Sequence, residues 1–388
     1  MTAIPSIGNI DVTLVNSKSN EPLLRPVMPE LDAIRGIAIL AVLFYHGFYW
    51  GVDLTQFSRP VRLFLTGMWA GRLGVNLFFV LSGFLITGLL IDSKSRTDYY
   101  SRFYKRRALR ILPAYIVTIL VLVVVKHAPW NFIGLSLLYL SNLTPLFGIA
   151  IAYPILWSLA VEEHFYFVWP TVVRKLPIRQ LMFCCVAIVL LSPLSRLVTF
   201  YWSRKNGFVS FVGNDYTWNS ADGLACGALL SIWLRNCHPS RRQVWWAICA
   251  LGVVAVGIFL IGLPWGIWTR QRPLGAAMQV VPWHLFFVAL LGAFLILGSS
   301  SWKSIPQART LRFFGEISYG LYLYHLLFFE GFDYLARRNI LPLSATSPGP
   351  LLLIRFLVAS SAAVAIAYVS RRLFEDRFLR LKSRFTSA

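Results

Sequence analysis

A chain of 388 residues that is 57% hydrophobic and only 14% charged has too little polar surface to cover an ordinary water-soluble domain. Its net charge of +21 does not mark a nucleic-acid binder, because the lysines and arginines are parcelled out between apolar runs and form no single basic domain. The fold class is therefore an all-α integral membrane protein, a polytopic helix bundle.

The first 30 residues are polar, Pro-containing and of mixed charge. They lack a basic segment followed by a short apolar core and a small-residue cleavage site, so they read as a cytoplasmic tail and not as a signal peptide. Apolar runs of spanning length follow at 31–51, 72–92, 108–126, 153–172, 180–198, 219–235, 244–263, 280–298, 314–334 and 351–370. A shorter run at 131–148 holds Asn131, Asn142 and Pro145 and fits a re-entrant or interfacial segment. Its status is decided by the basic residues. With ten spans and both termini cytoplasmic, 24 basic residues fall on the inner side and 12 on the outer, with Arg35 inside its span. An extra crossing at 131–148 would put the basic tail, 371–388, outside. The organisation expected is a tail at 1–30, a membrane domain at 31–370 and a basic cytoplasmic tail at 371–388.

The first run carries Arg35 near its start and His46 near its end. Eleven residues of helix turn through about 1,100°, so the two share a face about 16 Å apart along the axis. Ionisable groups inside a span are costly unless they face a bundle interior or a wet cavity. A snorkelling Arg35 and a hydrogen-bonded core His46 remain open on these residues alone. In the second run, Asn76, Ser82 and Gly83 lie among large apolar neighbours, and small residues there permit close helix approach.

The third run opens with RFYKRRALRILPAY, in which Arg106, Arg107 and Arg110 lie near one another on a helix stopped or kinked by Pro113. They are either topology charges or a phosphate-binding fork for a nucleotide-bearing donor. The fourth run places Glu162 and Glu163 side by side near mid-membrane, followed by His164. Adjacent helical residues point about 100° apart, so at most one carboxylate faces a given cavity squarely. Two readings are open: at a depth comparable to His46, one carboxylate accepts an imidazole N–H and raises the basicity of the other ring nitrogen, or it hydrogen-bonds Tyr or Trp for helix packing alone, which explains one glutamate less awkwardly than two.

Asp222 sits near the outer end of the sixth run, and Ser318, Tyr322 and His325, spaced by four and three, share one face of the ninth. The five cysteines, Cys184, Cys185, Cys226, Cys237 and Cys249, show neither metal-type spacing nor an even framework. They read as small core or lipid-facing residues, and no metal is expected.

Taken together, these blocks resemble the membrane-bound acyltransferase-3 family, which includes bacterial exported-glycan O-acetylases. The likeness covers nearly the whole chain and rests on LDAIRGIAILAVLFYH at Leu31 to His46, FFVLSGFLIT at Phe78 to Thr87 and RRALRILPAY at Arg106 to Tyr115. It continues with WSLAVEEHFYFVWP at Trp157 to Pro170 and SYGLYLYH at Ser318 to His325. Two positions depart from the family pattern: His164 stands where glutamine is frequent, and Ser220 where an arginine precedes the aspartate corresponding to Asp222. The esterase-like extracytoplasmic domain of many relatives is not expected here.

The resemblance implies O-acyl transfer in a bacterial inner membrane, from cytoplasmic acyl-CoA, above all acetyl-CoA, to a hydroxyl of a glycan, glycolipid or similar acceptor. No permanently bound cofactor is implied. His46 becomes the general base or a covalent acyl carrier, Arg35 binds or polarises the donor, and Glu162 or Glu163 orients His46. Arg106, Arg107 and Arg110 meet the donor, while Asp222, Ser318, Tyr322 and His325 meet the acceptor. A homo-oligomer or a separate extracytoplasmic partner would complete transfer where the membrane domain alone does not. Two rival readings of the same residues are a proton-coupled transporter using the buried Arg, His and Glu track and a glycan-binding scaffold without turnover.

Overall fold

The computed structural model of the chain describes residues 22–206, 215–300, 308–341 and 347–384, with side chains as far as residue 381. Residues 1–21 of the N-terminal tail, Lys303 and the last four residues lie outside the described residues. Among those described there is no strand.

In chain order the helices are α1 (Pro29–Phe48), a short α2 (Arg59–Gly67), α3 (Gly74–Asp92), α4 (Tyr99–Val124) and a short α5 (Trp130–Leu137). Next come α6 (Leu156–Lys175), α7 (Ile178–Lys205), α8 (Thr217–Asn236) and α9 (Arg241–Gly262). The series closes with a short α10 (Pro273–Met278), α11 (Val281–Gly298), α12 (Arg309–Arg337), α13 (Pro348–Val369) and α14 (Asp376–Arg384). A helix thus lies over each of the ten expected spans. Among the described residues, seven helical stretches are long and apolar enough to cross a membrane. The other three, α6, α8 and α12, have 20, 20 and 29 residues but are more polar, and they carry Glu162, Asp222 and His325 into the bundle.

The segment 131–148 forms α5, of eight residues, and a 3-10 turn at Ser141–Phe147. Eight residues rise only about 12 Å, far less than a bilayer core. Pro113 does not stop α4, which continues through it to Val124; within a bundle, neighbouring helices and local adjustments accommodate a proline.

Two parallel helix pairs hold the centre. Along α1 and α12, Asp32 meets Gly315 near one end and His46 meets His325 toward the other. A Cβ on Gly36 would lie 2.0 Å from Leu311 O, and one on Gly315 would lie 1.9 Å from Asp32 O. Along α3 and α8 the same device recurs, with Gly83 against Leu224 O and Gly227 against Val80 O, each at 1.9 Å. Where lipid gives no hydrophobic drive between helices, such backbone-to-backbone approach maximises dispersion contact. On the periphery, α7 and α9 leave Phe183, Leu190, Val253 and Ile261 exposed, as helices facing acyl chains do.

The described cysteines are all free, with Cys185 and Cys226 buried and Cys237 and Cys249 exposed. After α13 the chain makes a π-helical turn, Ser370–Glu375, whose buried Glu375 accepts from Ser370 Oγ at 3.1 Å.

Candidate active site: two cavities on one helix face

The polar side chains of α1, α3, α4, α6, α8 and α12 gather around two cavities. The first, about 500 Å³, lies at the Arg35 end of α1 and is lined by Arg35, Arg106, Arg107, Arg110, Glu162 and Glu163. Its volume is that of a small-molecule site. Arg106, Arg107 and Arg110 converge because positions one turn apart on α4 share a face. The Arg107 guanidinium stacks 3.6 Å above the Tyr166 ring. Tyr166 Oη in turn donates to Glu162 Oε2 at 2.9 Å, and Ser82 Oγ donates to Glu162 Oε1 at 2.9 Å. Four guanidiniums therefore face two carboxylates, and the buried Nε atoms of Arg106 and Arg107 have no hydrogen-bond partner. Buried charged donors left unpaired are costly, and an anionic ligand is the group that would satisfy them. Arg35 itself donates to Asp32, one turn back on α1.

The second cavity, about 480 Å³, lies at the other end of the same face and is lined by His46 together with Tyr45, Trp50, Arg72, Asp222 and His284 among others. His46 does not meet Glu162 or Glu163. Its ring packs edge-on to His325, with 4.8 Å between centroids, and His325 Nε2 lies 3.2 Å from His46 Nδ1. The hydrogen-bond pattern determines the protons. His325 Nδ1 faces the carbonyls of Leu321 at 3.0 Å and Tyr322 at 2.8 Å, which only accept, so Nδ1 carries the hydrogen and Nε2 a lone pair. His46 Nδ1, shared between that lone pair and Val42 O at 3.0 Å, must then donate. The remaining nitrogen of neutral His46, Nε2, holds a lone pair, as a base or nucleophile requires. Arg355 fixes the end of α1, donating to Gly47 O at 2.8 Å while its fork holds Asp333 at 2.6 and 2.9 Å.

Tyr322 and Val75 line both cavities. The Tyr322 hydroxyl lies 2.5 Å from Ser158 Oγ and 3.2 Å from Ile155 O, so a hydrogen-bonded tyrosine forms the wall between them. The sequence reading of a shared α1 face holds, but its two ends open into separate chambers.

The structure redistributes the other expected site residues. Glu162 and Glu163 both line the arginine cavity, contrary to a single inward carboxylate orienting His46, because Ser82 and Tyr166 draw the first while the wide chamber admits the second. The side chain that hydrogen-bonds the His46 ring is His325, which was expected to meet the acceptor. Ser318 lines the arginine cavity and donates to Gly315 O at 2.8 Å. Asp222 lines the histidine cavity but is tied into the protein.

Three residues were missed by sequence reasoning. Arg196, counted as an outer loop charge, is 2% exposed and donates to Asp222 Oδ2 at 2.9 Å, Asn219 O at 2.8 Å and Ala277 O at 2.8 Å. Asp222, which lacks an arginine at Ser220, thus has its arginine partner on α7. His284 places Nδ1 3.2 Å from the same Asp222 oxygen. Arg355 was likewise counted as a topology charge. A signal was present for Arg196, which falls inside the expected span 180–198. Arg196→Lys keeps the charge but gathers its donors on one nitrogen, which cannot occupy both the Nε and the Nη1 positions. It is expected to lower stability by about 1–3 kcal/mol, the cost of stranded buried acceptors, read as a lower melting temperature of the purified protein; an unchanged melt would show the fork to be dispensable.

A family model described as an acyltransferase domain matches residues 28–372. The chain is 28% identical over 337 residues to the peptidoglycan O-acetyltransferase OatA of Listeria monocytogenes serovar 1/2a, covering 78% of this chain and 49% of that protein. It is 26% identical over 329 residues to the O-acetyltransferase OatA of Staphylococcus aureus strain NCTC 8325, covering 77% of this chain and 50% of that protein. The chain thus spans about half the length of these curated relatives. No solved structure matches.

Proposed function

This chain belongs to the acyltransferase-domain family that it matches over residues 28–372, and on that premise we propose that it is a multi-pass membrane O-acyltransferase of a bacterial inner membrane. The donor is a cytoplasmic acyl-CoA, with acetyl-CoA as first choice, and the acceptor a hydroxyl of a glycan or glycolipid at the far side. The excess of basic residues expected on the inner side supports a cytoplasmic arginine cavity. The observation that carries the reading is the pairing of two chambers on one helix: an arginine cluster in which the buried Nε atoms of Arg106 and Arg107 have no hydrogen-bond partner in the first and a histidine with a free lone pair in the second.

The parts divide as follows. Arg106, Arg107, Arg110 and Arg35 hold the phosphates of CoA, and the slender pantetheine arm extends toward Tyr322, whose movement away from Ser158 opens the wall. In one form of the reaction His46 Nε2 takes the proton of the acceptor hydroxyl as its oxygen attacks the thioester carbonyl; the C–S bond breaks and CoA leaves as the thiolate. In the other, His46 Nε2 attacks first, releasing CoA thiolate, and the acceptor oxygen then displaces the imidazole, its proton passing to the solvent. Either way His325 keeps the His46 Nδ1 hydrogen in place and shares the charge developed on the ring.

Arginine at position 110 tests the donor half. Arg110→Lys retains the topology charge but loses the planar fork suited to phosphate. Equilibrium binding of acetyl-CoA to purified protein is expected to weaken about tenfold, or about 1.4 kcal/mol. Undiminished affinity in Arg106→Lys, Arg107→Lys and Arg110→Lys alike would reduce the cluster to a topology signal.

A further inference from the structure

The histidine cavity holds a second group of charges that the transfer chemistry does not use. Arg72 and Arg270 both donate to one atom, Gln279 Oε1, at 2.6 and 3.3 Å. The amide is locked by Gln279 Nε2 donating to Trp268 O at 2.6 Å, and Gln279 is 4% exposed. The Arg72 guanidinium lies 3.8 Å above the Trp69 ring, and its buried Nε has no hydrogen-bond partner.

Two like charges drawn to one neutral oxygen repel each other, and the arrangement is favourable only if an anion completes it. Asp215 in the same cavity offsets one of the two charges. Asp222 cannot offset the other, because Arg196 already matches it. Trp50 and Trp157 complete the lining, and flat indole faces are the surfaces on which the apolar faces of sugar rings pack.

We propose that Arg72 and Arg270 form an anion subsite, so that the acceptor drawn into the histidine cavity is a sugar carrying, beside the hydroxyl to be acylated, a carboxylate or phosphate. The inference rests on the reading of this cavity as the acceptor side. Within it, the guanidinium pair fixes the orientation of the sugar, and the neutral analogue loses affinity because Arg72 Nε stays unsatisfied and the second positive charge uncompensated.

The test is equilibrium binding of end-labelled trigalacturonate and its methyl ester to the full chain in phosphatidylcholine nanodiscs, repeated with glucose 6-phosphate against glucose. The expected result is saturable binding of the charged probe at least about tenfold tighter than of its neutral partner, with the preference lost in Arg72→Gln and Arg270→Gln. Equal binding of charged and neutral probes by wild type, or saturable binding of neither, overturns the proposal, and this arm needs no variant to fold. A preference that survives in both variants, melting like wild type, overturns it too. If phosphatidylglycerol in the nanodisc displaces the charged sugar, the occupant is a lipid headgroup and the acceptor assignment falls. Acetyl-CoA binding and turnover are read separately: a charge preference without acyl transfer keeps the subsite and sinks the transfer reading, whereas transfer without preference does the reverse.

Discussion

Alanine at His46 is expected to abolish acyl transfer while leaving the membrane domain folded. Loss of a general base typically removes on the order of 10²–10⁴ in rate, and loss of a covalent acyl carrier removes more. Folding is expected to survive, because the ring lines a cavity and the two helices are held independently at their other end by the Gly36 and Gly315 contacts with Leu311 O and Asp32 O. His46→Gln separates two explanations, since it retains a hydrogen-bonding side chain of similar reach without a basic lone pair. Acceptor O-acetylation is the readout, with thermal melting alongside. Wild-type turnover by a well-folded His46→Ala protein would remove His46 from the reaction.

The second large effect is expected at His325, which acts through His46. Its Nε2 accepts the His46 Nδ1 hydrogen together with Val42 O, so His325→Leu leaves the ring tied by the Val42 carbonyl alone and freer to rotate. A loss on the order of 10² in kcat is expected, below the penalty at His46, because misorientation of a base is less damaging than its absence. Donor affinity should stay unchanged, since His325 does not line the arginine cavity. His325→Gln can present an oxygen to the same hydrogen and should recover a large part of the rate. Equal loss in the Leu and Gln variants, or a loss expressed in donor binding, would make His325 a packing residue.

Much of the scaffold could be read from the chain because a bilayer imposes a length and an apolar character on each span. The helices over the ten expected runs follow from that, as does the short helix at Trp130–Leu137. The Arg35 and His46 face could be read from an eleven-residue spacing that depends only on helix pitch. Which helix faces which could not. Glu162 and His46 have similar depth in the sequence reading, yet depth carries no azimuth, and the contacts of Ser82 and Tyr166 with Glu162 turn it toward the arginines. His325 was visible as part of a polar stripe, but its role depends on the parallel packing of α12 on α1. Arg196 and Arg355 were masked by the positive-inside count, which treats any arginine near a span end as a loop charge; both fold back to satisfy carboxylates and carbonyls within the bundle.

The same physics explains why three helices carrying site residues fall short of the seven most apolar ones. Residues that line a chamber must be polar enough to hold ligand, so α6, α8 and α12 give up lipid-facing character to surround it. Their position inside the bundle keeps this cost small, because their polar faces meet each other and the cavities instead of acyl chains.

The central claim is that one chain takes an acyl group from a donor in the arginine cavity and delivers it to a hydroxyl through His46. Purified protein in sealed proteoliposomes, given acetyl-labelled CoA on the side of the arginine cavity and a hydroxylated glycan acceptor on the other, tests it most directly. The account predicts labelled O-acetyl ester on the enclosed glycan, formed with stoichiometric release of CoA and absent with His46→Ala. Intact acetyl-CoA after prolonged incubation, together with proton-driven uptake of solute by the same vesicles, would contradict it and identify the polar track as a transport path.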